Sequence, residues 1–66
     1  MKEWIKEKEN LKQQLIELRY NQGLTLQAFA NKYGISYTEY INFIYHDKLS
    51  AYNYYVYKEI VKDDKD

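Results

Sequence analysis

Sixty-six residues with no cysteine, ten basic and ten acidic side chains and a formal net charge of zero set tight bounds on what the chain can be. A domain of this length buries only about 60% of its unfolded surface, and neither disulfides nor a cysteine-based metal site can staple it, so well-formed helices or a partner chain must supply stability. The charged opening MKEWIKEKENLK does not suit a signal sequence and no apolar run is long enough to span a bilayer, so a soluble, cytoplasmic protein without a membrane partner is expected.

Trp4 to Gln22 holds no glycine or proline, and Trp4, Leu11, Leu15 and Leu18 recur on one face with Ile5 and Ile16 beside it. This predicts one long helix from about Lys2 to Asn21. Glu3 with Lys6 and Glu9 with Lys12 pair three residues apart on its solvated side. Arg19 suits the negative end of the helix dipole, and Asn21-Gln22-Gly23 supplies the stop. Residues 1–10 extend beyond what the remainder of the domain needs. Trp4 and Ile5 there either fold over the edge of the core or meet a second copy of the chain.

Next comes LTLQAFANKYGISYTEYINFIYHDKLS, from Leu24 to Ser50. Thr25 caps a helix whose inward residues are Leu26, Phe29, Ala30 and Tyr33. Gly34 stops it, since a residue just past a helix end often enters the left-handed region, where glycine meets no side-chain clash. Ser36 and Glu39 form a Ser-x-x-Glu capping box for the following helix, with Ile35 and Tyr40 at hydrophobic-staple positions. Two helices joined by so short a turn read as a helix-turn-helix, with Ala30 at the closest approach. Asp47-Lys48-Leu49-Ser50 then makes a loop, and Ser50 caps a final helix through about Lys62. The run Tyr54-Tyr55-Val56-Tyr57 also has high strand propensity, so a C-terminal strand is the alternative there. Residues 63–66 read as an acidic polar tail. The fold expected is thus all-α: a single small domain of four to five helices, with a central helix-turn-helix and an extended N-terminal helix. Leu15, Leu18, Leu26, Phe29, Ala30, Ile35, Ile41 and Ile44 are expected among its most buried residues.

Gly23-Leu24-Thr25-Leu26, Phe29-Ala30, Gly34-Ile35-Ser36 and Lys48-Leu49-Ser50 together resemble the lambda-repressor and Cro-like helix-turn-helix family, over about Leu11 to Val61. The resemblance implies a sequence-specific DNA-binding regulator of transcription, of the small repressor type found in phages and plasmids, that acts as a homodimer on paired half-sites. Family members place aliphatic residues six and nine positions after the glycine, where this chain has Tyr40 and Phe43, with Ile41 and Ile44 one position late. Either the aromatics fill the core, or the second helix is turned by about 100°.

With Ile41 and Ile44 inward, the outward side of that helix would carry Thr38, Asn42, Tyr45 and His46, with Tyr37 and Ser36 at its start. Asn42 is the best base reader, because an asparagine amide pairs bidentately with adenine; Thr38, Tyr37 and Tyr45 suit a thymine methyl or a phosphate. Gln27 in the first turn of the preceding helix, Lys32 and Lys48 are the expected phosphate contacts. The balanced charge opposes this reading, since small DNA-binding domains normally carry a surplus of Lys and Arg.

Nine tyrosines, two phenylalanines and one tryptophan must divide between core and surface, because the aliphatic residues are too few to fill a core alone. An exposed share would suit protein recognition, so the alternative function is a protein-binding module or inhibitor on the same scaffold. Trp4, Ile5, Tyr54 and Tyr57 are the expected homodimer contacts. His46 has no second histidine or cysteine to complete a metal site, and no nucleophile stands at readable spacing from a base, so no metal, cofactor or enzymatic activity is expected.

Overall fold

The computed structural model describes residues 2–65, with side chains for 3–63. They form four α-helices: α1 (Lys2–Gln22), α2 (Leu26–Tyr33), α3 (Tyr37–His46) and α4 (Ala51–Lys65). No strand occurs among the described residues, and the chain is all-α. α1 packs along α4, and α2 along α3.

Local chemistry sets each boundary. Thr25 has an extended backbone and its hydroxyl accepts from Ala28 N at 3.1 Å, which starts α2. Gly34 ends α2 with φ 65° and ψ 32°, and Ile35 N then donates to Ala30 O at 3.0 Å, closing the last turn. Ser36 restarts the helix by accepting from Glu39 N at 3.4 Å. The reciprocal half of the expected capping box is replaced, because the Glu39 carboxylate accepts from Asn53 Nδ2 of α4 at 3.0 Å. At the end of α3, Asp47 takes the left-handed conformation (φ 56°) in place of a glycine, and Lys48 N donates to Asn42 O at 3.2 Å. Ser50 accepts from Asn53 N at 3.1 Å and starts α4.

α4 is helical throughout, so the strand alternative for Tyr54–Tyr57 is not adopted. The reason is burial: Asn53, Tyr57, Ile60 and Val61 lie on one face at helical spacing and all are inside. Packing decides where an intrinsic preference for strand is weak. The helix also runs past the expected end at Lys62 to Lys65; Asp66 and the side chains of Asp64 and Lys65, part of the expected tail, lie outside the described residues.

Leu11, Leu15 and Leu18 of α1 meet Phe29 and Ala30 of α2, Tyr40 and Phe43 of α3, and Tyr57, Ile60 and Val61 of α4. The expectation that Ile41 points inward is overturned, while Ile44 does pack against the core, half-buried at its edge. Tyr40 and Phe43 are fully buried, Ile44 only flanks the core, and Ile41, half-buried, is not packed against it. Leu26 and Ile35 are likewise half-buried flanking residues. An aromatic chain explains why the register falls this way. Phe29 stacks on Tyr40 (5.4 Å between ring centres), Tyr40 meets Tyr57 edge-on (6.4 Å), and Tyr57 stacks on Phe43 (5.6 Å). Such ring pairs add about 0.5–1.5 kcal/mol each beyond their buried area, and isoleucines facing inward could not replace them. Tyr57, expected at a dimer interface, is therefore the centre of this chain, 1% exposed, and has no surface to offer a second copy.

Candidate nucleic-acid interface

α3 is held to the domain by one face only. With Tyr40 and Phe43 inward, helical geometry places Thr38 and Tyr45 on the opposite side with Ile41 and Asn42 beside them, and Tyr37 and His46 at the two edges. Tyr45 is 63% exposed, Tyr37 40%, and Thr38 and His46 are also exposed. Of the residues proposed from sequence as DNA contacts, Thr38, Asn42 and Tyr45 thus share one side of α3, with Tyr37 and His46 at its two edges. Ser36 is at the helix start, with its hydroxyl occupied as the cap.

Ile41 belongs on this outer side, and sequence reasoning placed it in the core. The signal that could have found it was present: Tyr40 and Phe43, three residues apart, form a second apolar stripe beside Ile41 and Ile44.

Asn42 is half-buried, because it leans over a cleft between α3 and the start of α4. This cleft, of about 330 Å3, brings Asn42 and Lys48 together with Glu39, Ser50 and Asn53. Asn53 is held from two sides, by Ser50 and by Glu39, so the cleft has a fixed polar floor. The other expected phosphate contacts are dispersed. Gln27 is exposed in the first turn of α2. Lys32 donates to Gln22 Oε1 at 2.8 Å and lies 5.4 Å from the Tyr33 ring, while Gln22 Nε2 donates to the Tyr33 hydroxyl at 2.8 Å. Lys32 therefore ties α2 to the end of α1 rather than projecting freely.

α3 carries little charge. Its ten residues, Tyr37–His46, include no lysine or arginine and one acid, Glu39. Asp47, at its C-terminal end, is ion-paired to Lys12 of α1, and Lys8 Nζ approaches the Asp47 carbonyl at 3.5 Å. The hydrogen bond from Lys12 holds the Asp47 carboxyl below its ordinary range and raises Lys12, whose partial desolvation opposes the rise. Lys12 also lies 5.9 Å from the Phe43 ring. One side chain thus neutralises the acid at the end of α3 and covers the core residue beneath it.

The proposed dimer contacts divide. Trp4 is 40% exposed and packs against half-buried Tyr54, with ring centres 5.0 Å apart. The Tyr54 hydroxyl donates to Glu7 at 2.8 Å. Trp4 and Tyr54 therefore partner each other within the chain, while Ile5 stays largely exposed. The extension of α1 folds over the start of α4, which is the plainer of the two roles open to it from sequence. Among the described residues no helix is long and apolar enough to cross a membrane, and no three metal-ligating side chains gather.

No known family model matches the chain, and comparison with curated proteins and with solved structures finds no significant similarity to any of them.

Proposed function

We propose that the α2–turn–α3 unit is a helix-turn-helix and that the protein is a sequence-specific DNA-binding regulator which lays α3 in the major groove. The observation that carries this reading is the one-sided attachment of α3. Tyr40 and Phe43 hold it, and on the opposite side Thr38 and Tyr45 are exposed, with half-buried Ile41 and Asn42 beside them. Recognition would lean on apolar contacts more than on charge. Ile41 and the tyrosine rings suit thymine methyl groups, and Asn42 suits an adenine edge at the margin of the helix. Lys48, beside Asn42 in the loop that follows α3, is the phosphate contact best placed for this geometry. A second copy would double these contacts on a paired half-site, with Ile5 and the exposed edge of Trp4 as the surface open to it.

Selection from a pool of random duplexes at low salt tests the reading, with sedimentation of the bound species reporting its stoichiometry. Asn42→Ala should lose about 1–3 kcal/mol at one base position, while Lys48→Ala should weaken all duplexes alike and lower the salt slope by about one unit. Absence of both enrichment and salt-dependent binding rejects it.

One observation favours a second reading, a protein-binding module. A face made of Tyr37, Ile41 and Tyr45 with no cation resembles the centre of a protein interface, where aromatic residues gather and charge is depleted. A partner held by that face would bind with little dependence on salt and would be lost on Tyr45→Ala.

A further inference from the structure

The chain leaves α1 and α2 through glycines with left-handed backbone, Gly23 and Gly34, but it leaves α3 through Asp47, the one non-glycine residue with positive φ among the described residues. Aspartate takes that backbone at more cost than glycine. What it adds is a carboxylate, and two lysines of α1, one turn apart, converge on the residue from 35 and 39 positions earlier. Lys12 is ion-paired to the carboxylate, and Lys8 Nζ approaches the carbonyl at 3.5 Å. Lys12 is itself confined: its ammonium lies 3.6 Å from Glu9 and 5.9 Å from the centre of the Phe43 ring, and its side chain is 13% exposed.

The N-terminal turns of α1 also hold the chain beyond the loop that Asp47 begins. Trp4 packs on Tyr54, and Glu7 accepts from the Tyr54 hydroxyl and lies 4.0 Å from Lys58. Residues 4–12 thus straddle the loop Asp47-Lys48-Leu49-Ser50, tied to Asp47 where it starts and to α4 just past its end. Inside the loop, Leu49 packs on the core, Ser50 caps α4, and Lys48 N donates to Asn42 O at 3.2 Å. The exposed Lys48 side chain stands beside Asn42. The direction in which Lys48 leaves α3 is set by the two backbone dihedrals of residue 47, and a carboxylate and a carbonyl both held from α1 fix those dihedrals.

We propose that Asp47 is a positioning residue for the surface formed by Asn42 and Lys48, held by the N-terminal part of α1 through Lys12 and Lys8 so that Lys48 stands beside Asn42. Its use in nucleic-acid binding rests on the DNA reading given above; the holding of the loop does not. A duplex would meet Lys48 already in place, so that contact would not have to be ordered on binding.

The test compares Asp47→Asn with the parent chain, since asparagine also tolerates left-handed backbone and keeps the volume while losing the charge. Amide hydrogen exchange of the free protein reads the loop. The Lys48 N–H should exchange about three- to fivefold faster in Asp47→Asn and in Lys12→Met, the range an exposed ion pair supplies, while the core amides of Leu15 and Leu18 change less. Duplex titration reads the consequence. Loss of an acidic charge beside the contact surface would by itself tighten binding, whereas loss of positioning weakens it, so Asp47→Asn should bind the selected duplex about three- to fivefold more weakly. Lys48→Ala should then cost less in the Asp47→Asn background than in the parent chain. Unchanged or tighter binding by Asp47→Asn, additive effects of the Asp47 and Lys48 substitutions, or a Lys48 N–H that gains no more exchange than the core amides would each overturn the proposal. A parent chain that binds no duplex would reject the DNA reading instead, and the exchange rates alone then decide whether α1 positions the loop.

Discussion

Separate truncation of Phe43 and Ile41 tests which way α3 is turned, and so which side chains any ligand of α3 can meet. Phe43 is fully buried, its ring is 5.6 Å from that of Tyr57 with 18° between planes, and the Lys12 ammonium lies over the ring, 5.9 Å from its centre. Removing such a ring to the β-carbon costs about 3–5 kcal/mol in a packed core. At about 0.05–0.15 kcal/mol per residue, a chain of 66 residues has a total stability of roughly 3–10 kcal/mol. Phe43→Ala therefore takes away between a third and all of it. Ile41 is half-buried but not packed on the core, so Ile41→Ala should stay within about 1 kcal/mol, nearer the surface range. Urea unfolding followed by far-UV circular dichroism separates the two, with Phe43→Leu as a milder variant should the alanine chain prove unfolded without denaturant. An Ile41→Ala cost equal to or larger than that of Phe43→Ala would mean that the isoleucines face inward after all, and the outer side of α3 would have to be reassigned.

Alkaline pH should loosen the same core. Burial pushes the Tyr57 hydroxyl up from its ordinary value near 10 to about 12, with Glu39 and Tyr40 adding to the rise. Tyr40 is raised as well, again by burial, with Arg19 opposing. The folded state thus favours the neutral phenol. Its contribution is complete below about pH 10 and is lost as pH climbs through 12, amounting to about 3 kcal/mol for Tyr57. Urea midpoints measured from pH 9 to 12 should fall more steeply for the parent chain than for Tyr57→Phe, and parallel curves would contradict the assignment. Gly34→Ala should cost about 1–2 kcal/mol, because a new β-carbon would meet nothing within 4 Å and the left-handed backbone is the whole penalty. A thermal melt that does not move would show that the turn relaxes.

What could be read from the sequence was whatever a residue does to backbone within a few positions of itself. Thr25, Ser36 and Ser50 cap the helices assigned to them, Gly34 ends α2 in the left-handed region, and the apolar spacing of Leu11, Leu15 and Leu18 marks the buried face of α1. Each depends on a hydrogen bond three residues long or on helical periodicity, both properties of one short segment. The rotation of α3 about its axis is of another kind. Its sequence offers two adjacent stripes, Tyr40 with Phe43 and Ile41 with Ile44, either of which could be buried, and the choice falls to the rings of Phe29 and Tyr57 on other helices. The same holds for Tyr57, which looks like a surface tyrosine until α3 is placed beside it, and for Glu39, whose carboxylate leaves its own helix start for Asn53. Asp47 adopts a left-handed cap with its carboxylate paired to Lys12, a residue 35 positions earlier. Contacts across such separations depend on volumes and charges that meet only when the helices pack, and they decide which face of α3 is left open.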